Sequence, residues 1–376
     1  MPRINSFLVG LCVLMAATAV SAQKPPPSAP KPPKEPKLKI GDTAPPLVVE
    51  KWLVGKEVKG FEKDTVYVVT YAGASTPFGV ATLSDLSDKH AGKGLVVVGV
   101  QSPNYGGVTW DDKKLEKELA FYTTSAKESG ASYPVGWEKE RKMWDAYFEM
   151  GGPLVAFVID KAGKIAYSGP EGTAAYVAVK VRDGTWKGKA DADAMTKAME
   201  DLQKYMTQLG QKVGQPDKLD DRALKLLQEE LPALERMFKD APYLALDPQA
   251  WQMRLAVHLV AKSHDVAEAI ISEKIAAAVK HKDKGTLGQL VGFFKSGPLK
   301  PDPKSAKIVD KVTDAYAPFA EPADWPVLIE VSKKYGNNDK VDTYMKKALE
   351  SIPEKDRKLF EEGMKQRLKE MDKGDK

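Results

Sequence analysis

The chain has 376 residues, 43% of them hydrophobic and 29% charged, with one cysteine and a formal net charge of +5. That length suits two packed domains of ordinary size, and that composition excludes a wholly disordered polymer. The positive excess is too local to mark a nucleic-acid surface, because the lysines that carry it cluster in one short stretch.

Met1-Pro2-Arg3 is a short basic start, Phe7 through Val20 an apolar centre, and Val20-Ser21-Ala22 a small-residue cleavage site. This anatomy predicts a secretory signal over residues 1–22, cut after Ala22. The apolar run is short for a membrane span and leads into a proline-rich stretch. Cys12, the only cysteine, lies inside it, and Leu11 stands where a lipoprotein signal would place a small residue. The mature product is therefore expected to be exported, periplasmic or extracellular, cysteine-free, and stable without disulfides. No later stretch is apolar enough to suggest a second membrane segment.

Residues 23–39 carry five lysines (Lys24, Lys31, Lys34, Lys37, Lys39) against Glu35, together with seven prolines. Such a stretch predicts an extended, solvated tether with no core of its own.

From Lys39 onward, short apolar runs alternate with amphipathic ones, the pattern of an α/β layer fold. Val66-Tyr67-Val68-Val69-Thr70-Tyr71 and Leu95-Val96-Val97-Val98-Gly99-Val100 are predicted to be buried strands. Between them a helix is expected to run to about His90, with Val80, Leu83 and Leu86 on one face. Helices are also expected from Asp111 to about Glu128, where Asp111-Asp112 complements the helix dipole, and from about Glu138 to Phe148. Leu154 through Ile159, the turn from Asp160 to Lys164, and Ile165-Ala166-Tyr167 predict a β-hairpin.

The stretch from Ile40-Gly41-Asp42-Thr43-Ala44-Pro45-Pro46 through Gly169 resembles a redoxin. That thioredoxin-like family includes periplasmic thiol-disulfide oxidoreductases and peroxiredoxins. The resemblance covers about a third of the chain and rests on three features. These are the Gly-Asp-x-Ala-Pro opening, the strand-loop-helix at 66 to 86, and Gly152-Pro153 followed by Phe-Val-Ile-Asp-Lys-x-Gly-Lys-Ile. It implies a thioredoxin-like domain over residues 40–190, with a cis Pro153 facing the active-site loop. In the family, C-x-x-C or T-x-x-C stands where this chain has Thr76-Pro77-Phe78-Gly79. Disulfide exchange needs a sulfur that forms and releases a mixed disulfide, and neither pattern supplies one here. Thr76 has no histidine nearby in sequence to activate it, so it is expected to cap the helix with Pro77 in the first turn. The resemblance also implies a groove in which Thr76, Gly152 and Pro153 hold an extended peptide through backbone hydrogen bonds. The alternative is that these loops persist only because the fold needs them.

After Trp186 the pattern becomes helical, and residues 191–376 are expected to form a second, all-α domain. Met195, Met199, Leu202, Met206 and Leu209 recur at helical spacing, as do Leu224, Leu227, Leu231, Leu234 and Phe238. The methionines at this spacing favour core packing over a binding stripe. Asp247-Pro248, Pro298 to Pro303 and Pro322 to Pro326 divide the region into helical hairpins. Residues of about 322–355 resemble a tetratricopeptide repeat. Trp325, Leu328, the turn residue Gly336, Ala348, Leu349 and Pro353 match it, whereas Ile329 and Ser332 depart from it. The hairpin from Trp251 to Lys280 has the length without the register.

The four histidines are scattered, and solvated or capping roles are expected for them rather than metal ligation. Tyr105-Gly106-Gly107 lacks the pattern of a phosphate loop, so no metal or cofactor is expected. The composite expectation is an exported, redox-inactive thioredoxin-like protein that binds a protein or peptide partner or serves as a scaffold. The alternatives are a thiol-disulfide oxidoreductase or peroxidase, as the resemblance implies, and a chaperone-like peptide holder. Oligomeric state is not legible in the sequence.

Overall fold

A β-branched or aromatic run with a helix on either side has to pack both of its faces, so it belongs at the centre of a sheet. In a computed structural model, which describes residues 38–71, 80–103, 111–148, 155–214, 220–297 and 301–374, that is where two such runs lie. Strand β1 is Lys51–Val54, β2 Val66–Tyr71, β3 Leu95–Gln101, β4 Val135–Trp137, β5 Val155–Ile159 and β6 Ile165–Pro170. They form one sheet in the order β1-β4-β3-β2-β5-β6. Strands β2, β3 and β4 run parallel, with Val68 opposite Val97, and β5 joins antiparallel with Phe157 opposite Val69.

Helix α1 (Val80–His90) links β2 to β3, α2 (Asp112–Glu128) links β3 to β4, and α3 (Glu171–Arg182) follows the β5-β6 hairpin. This is the thioredoxin-like α/β arrangement with a mixed sheet. Alternate residues of β2 divide between two cores. Val66 and Val68 pack with Leu83, Tyr122 and Val177 of the helices, whereas Tyr67 and Val69 pack with Met143, Tyr147 and Phe157. The hairpin turn closes as its residues suggest. Asp160 Oδ1 accepts the amides of Ala162 and Lys164, both at 2.9 Å, and Gly163 takes φ +75°.

Three elements of this part escape sequence patterning, and one expected helix changes form. Strands β1 and β4 are short; β1 lies at the edge of the sheet and pairs with β4, which lies between it and β3. Instead of a helix from Glu138, residues Trp144–Phe148 form a single π-turn. The buried Glu138 carboxylate accepts the amides of Met143 (2.6 Å) and Trp144 (2.7 Å), so Glu138 caps the turn rather than entering it. Helix α3 carries glycine, threonine and valine, which favour helix weakly. It is buried almost all round, from Glu171 through Ala175, so it shows no amphipathic stripe.

The remainder is helical: α4 (Lys189–Val213), α5 (Asp221–Asp240), α6 (Pro248–Val260), α7 (His264–Lys280), α8 (Lys284–Ser296), α9 (Pro303–Tyr316), α10 (Trp325–Lys334), α11 (Asn338–Ser351) and α12 (Glu354–Gly374). The expected stripes are core. Met195 packs against the sheet, while Leu202, Met206 and Leu209 pack with Leu234 and Phe238. Asp247 and Asp302 cap α6 and α9, each followed by proline in the first turn. Gly336, at φ +76°, turns the chain between α10 and α11. Met364 of α12 packs with Trp325, Leu328 and Tyr344, closing the second core. No helix among the described residues is long and apolar enough to cross a membrane.

Candidate functional site

The positions matching the redox motif, Thr76, Pro77, Phe78 and Gly79, and the groove residues Gly152 and Pro153, lie outside the described residues. The elements that lead into and out of them are defined. Thr70 and Tyr71 end β2, Val80 and Ala81 open α1, and Val155 opens β5. Sites in α/β sheets form at the carboxyl ends of parallel strands, and those ends carry buried polar groups here.

On one side, the Tyr71 ring meets Trp144 edge-on at 4.4 Å, and its hydroxyl donates to the Ser102 carbonyl at 3.4 Å. Burial holds the Tyr71 phenol well above its ordinary range. Ser102 donates to Glu138, whose carboxyl is pushed up by burial despite the hydroxyl and two amides it accepts.

On the other side, the Thr70 hydroxyl donates to Glu171 Oε1 at the start of α3. Glu171 is enclosed, and burial, with the nearby Asp283 charge adding to it, pushes its carboxyl up to about 8. Asp283 belongs to the helical part. Its Oδ1 accepts Thr286 N at 2.9 Å, capping α8, while its Oδ2 accepts the Ala81 amide in the first turn of α1 at 3.1 Å. One carboxylate thus serves two helix starts, from opposite sides of the interface between the sheet and the helices. Asp283→Ala is expected to lower stability by about 1–2 kcal/mol, the usual worth of a lost cap. Thermal unfolding of the variant beside the wild type checks this.

Next to that contact, Asp85 of α1 accepts from Lys280 Nζ (2.5 Å) and His281 Nε2 (2.7 Å). Burial works to raise the Asp85 carboxyl, but these two hydrogen bonds and the Lys280 charge outweigh it and hold it below the usual carboxylate range. The packing is close. Gly130 sits at φ +71°, and a Cβ built there would lie 1.6 Å from the His281 carbonyl oxygen.

Between α1, the start of α3, residues 246–251 and α7 lies a cleft of about 820 Å³. Its floor is mainly apolar, with Leu86, Ala175, Tyr176, Trp251 and Ala277 among the lining residues. Lys274 reaches along one wall, donating to the Ala245 carbonyl at 3.0 Å with its ammonium 5.7 Å from the Trp251 ring centre. Burial lowers the Lys274 pKa. Asp247 lines the cleft as well, and burial raises its carboxyl although it accepts two amides.

His281 takes the expected capping role, as the C-cap residue of α7, but three of the four histidines depart from solvated ones. His258, His264 and His281 are buried. Each faces a carboxylate: Glu235 at 2.8 Å, Asp302 at 3.2 Å and Asp85 at 2.7 Å, respectively. A buried imidazole needs such a partner, and helix periodicity does not reveal one that lies on another helix. Asp85, Asp88 and His281 bring ligand-type atoms within 4.8 Å of one another. The Lys280 ammonium, on Asp85 and 3.6 Å from Asp88, already supplies positive charge there.

No family model matches the chain. It is 26% identical over 157 residues to the protein FixW of Rhizobium leguminosarum, a match spanning 40% of this chain and 69% of FixW. Similar solved structures include a putative protein disulfide isomerase from Bacteroides thetaiotaomicron, at 18% identity and TM-score 0.29, covering 39% of this chain and 92% of that one. A thiol:disulfide interchange protein of the thioredoxin family from Chlorobium tepidum shows 17% identity and TM-score 0.27, covering 38% and 97%. A peroxiredoxin-like protein from Aquifex aeolicus shows 25% identity and TM-score 0.24, covering 39% and 88%.

Proposed function

We propose that this is an exported, redox-inactive protein of redoxin type that serves as a protein- or peptide-binding or scaffold module. The observation that carries the proposal is that no cysteine follows Cys12. Thiol-disulfide exchange and peroxide reduction by this family's route both proceed through a thiolate, and neither Thr76 nor Gly79 can provide one. Binding is then the capacity left to the groove residues Thr76, Gly152 and Pro153 and to the helical part, with its tetratricopeptide-like hairpin at α10 and α11. Such a hairpin cannot bury its own face, which agrees with the shared core of Trp325, Leu328, Tyr344 and Met364.

Two assays on the purified full chain test this. It is expected to turn over neither insulin disulfides nor hydrogen peroxide above blank, and to retain defined partners from an envelope extract, with Pro153→Ala weakening that retention. Turnover above blank would sink the redox-inactive reading in favour of an oxidoreductase or peroxidase. Retention that Pro153→Ala leaves unchanged would remove the groove from it. Suppressed aggregation of a denatured client, without a defined partner, would replace it with a chaperone-like holder.

A further inference from the structure

We propose that the cleft between α1, the start of α3 and α7 binds a primary ammonium group carried on an apolar stem, with Glu171 as the anchor of the charge. The proposal stands independently of the binding function argued above.

Three observations converge on the cleft. First, Glu171 is only 7% exposed and lines it. Its Oε1 is taken by the Thr70 hydroxyl, and Oε2 has no hydrogen-bond partner among the described residues. Second, the charges around the cleft do not balance locally. Asp85 is held by Lys280 and His281, and Glu273 lies 3.9 Å from Lys274, whereas Glu171 and Asp247 have no basic partner among the described residues. Third, much of the remaining lining is apolar or aromatic, beside the polar Thr82, Gln249, Thr286 and Gln289 and the basic Lys89 and His90. Two of the lining rings already carry ammonium groups, Lys180 5.5 Å from Tyr176 and Lys274 5.7 Å from Trp251. A cation with a short apolar body complements Glu171, Asp247 and these rings.

Binding carries a proton signature. The groups facing Glu171 are Thr70 of β2, Tyr133 before β4 and Asp283 at the start of α8. Across the cleft stand Asp85, Lys89 and His90 of α1, Asp247 before α6, and Glu273, Lys274 and Lys280 of α7. Enclosure and the Asp283 charge favour the protonated acid at neutral pH. An arriving ammonium favours the carboxylate. The carboxyl O–H bond breaks, the proton passes to buffer, and an N–H···O hydrogen bond replaces it.

Titration calorimetry of the full chain with 2-phenylethylamine at neutral pH, in two buffers of different ionisation enthalpy, tests this. The expected result is saturable binding with release of most of a proton, and at least about tenfold weaker binding of 2-phenylethanol and 3-phenylpropionate. Glu171→Gln is expected to lower the affinity at least about tenfold and to abolish the proton release. Ala277→Trp, which adds bulk to the cleft lining and leaves the acid in place, is expected to remove binding while the protein still melts cooperatively. The capped dipeptide N-acetyl-Phe-Lys-amide separates two sources of the same chemistry: tighter binding than the amine points to a lysine side chain, weaker binding to a free amine. Equal binding of 2-phenylethanol, absence of proton release, an unaffected Glu171→Gln variant, or no binding of the amine would each overturn the proposal.

Discussion

Above pH 8, Glu171→Gln is expected to be more stable than the wild type, by at most on the order of 5 kcal/mol. The folded protein pushes this carboxyl up from 4.5 to about 8 by burial, with the Asp283 charge adding to it. A raised acid binds its proton more tightly in the folded chain than in the unfolded one. Its contribution is therefore most favourable below the unfolded value, falls as pH rises from about 4.5, and reaches its lowest level above about 8. Glutamine stays neutral throughout, and its carbonyl can still accept the Thr70 hydroxyl. Asp283, Asp247 and Glu138 are also raised by burial, so only the difference between the two proteins isolates Glu171. Urea unfolding of both across pH 5 to 9 measures that difference. Parallel stability profiles would show that Glu171 ionises as an ordinary glutamate. A more stable variant also means that lost amine binding in Glu171→Gln could not be blamed on misfolding.

Gly130→Ala is expected to cost more than about 3 kcal/mol and to separate the unfolding of the sheet from that of the helices. Two effects add. Alanine at φ +71° is strained by about 1 kcal/mol, and the new methyl meets the His281 carbonyl at 1.6 Å, where a backbone atom has to move. Moving it pulls His281 and Lys280 away from Asp85 and shifts Asp283, two residues on, from the Ala81 amide. Gly92→Ala is the control. It has φ +69° with open space around it, so it should show the strain alone, about 1 kcal/mol. Calorimetry distinguishes the two variants. A single transition for Gly130→Ala, with a loss no larger than that of Gly92→Ala, would refute the close packing.

The elements legible in the sequence are those whose burial follows a simple period. Strand β2 matches its expected bounds, β3 extends one residue past its own, and the 160–164 turn is set by Asp160 and Gly163. The stripes at 195–209 and 224–238 lie on helices α4 and α5. Helix α3 was not legible because it is enclosed by the sheet on one side and residues 242–246 on the other. A Cβ on Gly172 would come within 2.0 Å of the Leu246 carbonyl, so close approach rather than amphipathicity selects its residues. Nor were the candidate-site acids. Asp283 with Thr286 three residues later reads as an ordinary helix cap, which it is. Nothing local announces that its second oxygen reaches Ala81, 202 residues earlier. Glu171 and Asp85 look like solvated helix charges until tertiary packing encloses the first and pairs the second.

That 202-residue reach also orders events in time. Synthesis proceeds from the N-terminus, so every strand of the sheet leaves the ribosome well before Asp283 does. Until residues near 283 arrive, α1 lacks its acceptor for the Ala81 amide, Asp85 lacks its Lys280 and His281 partners, and the surface around Gly130 lacks the His281 backbone that packs on it. The last consolidation of the sheet therefore waits on the second half of the chain. Closing so long a loop makes this a late, high-contact-order step.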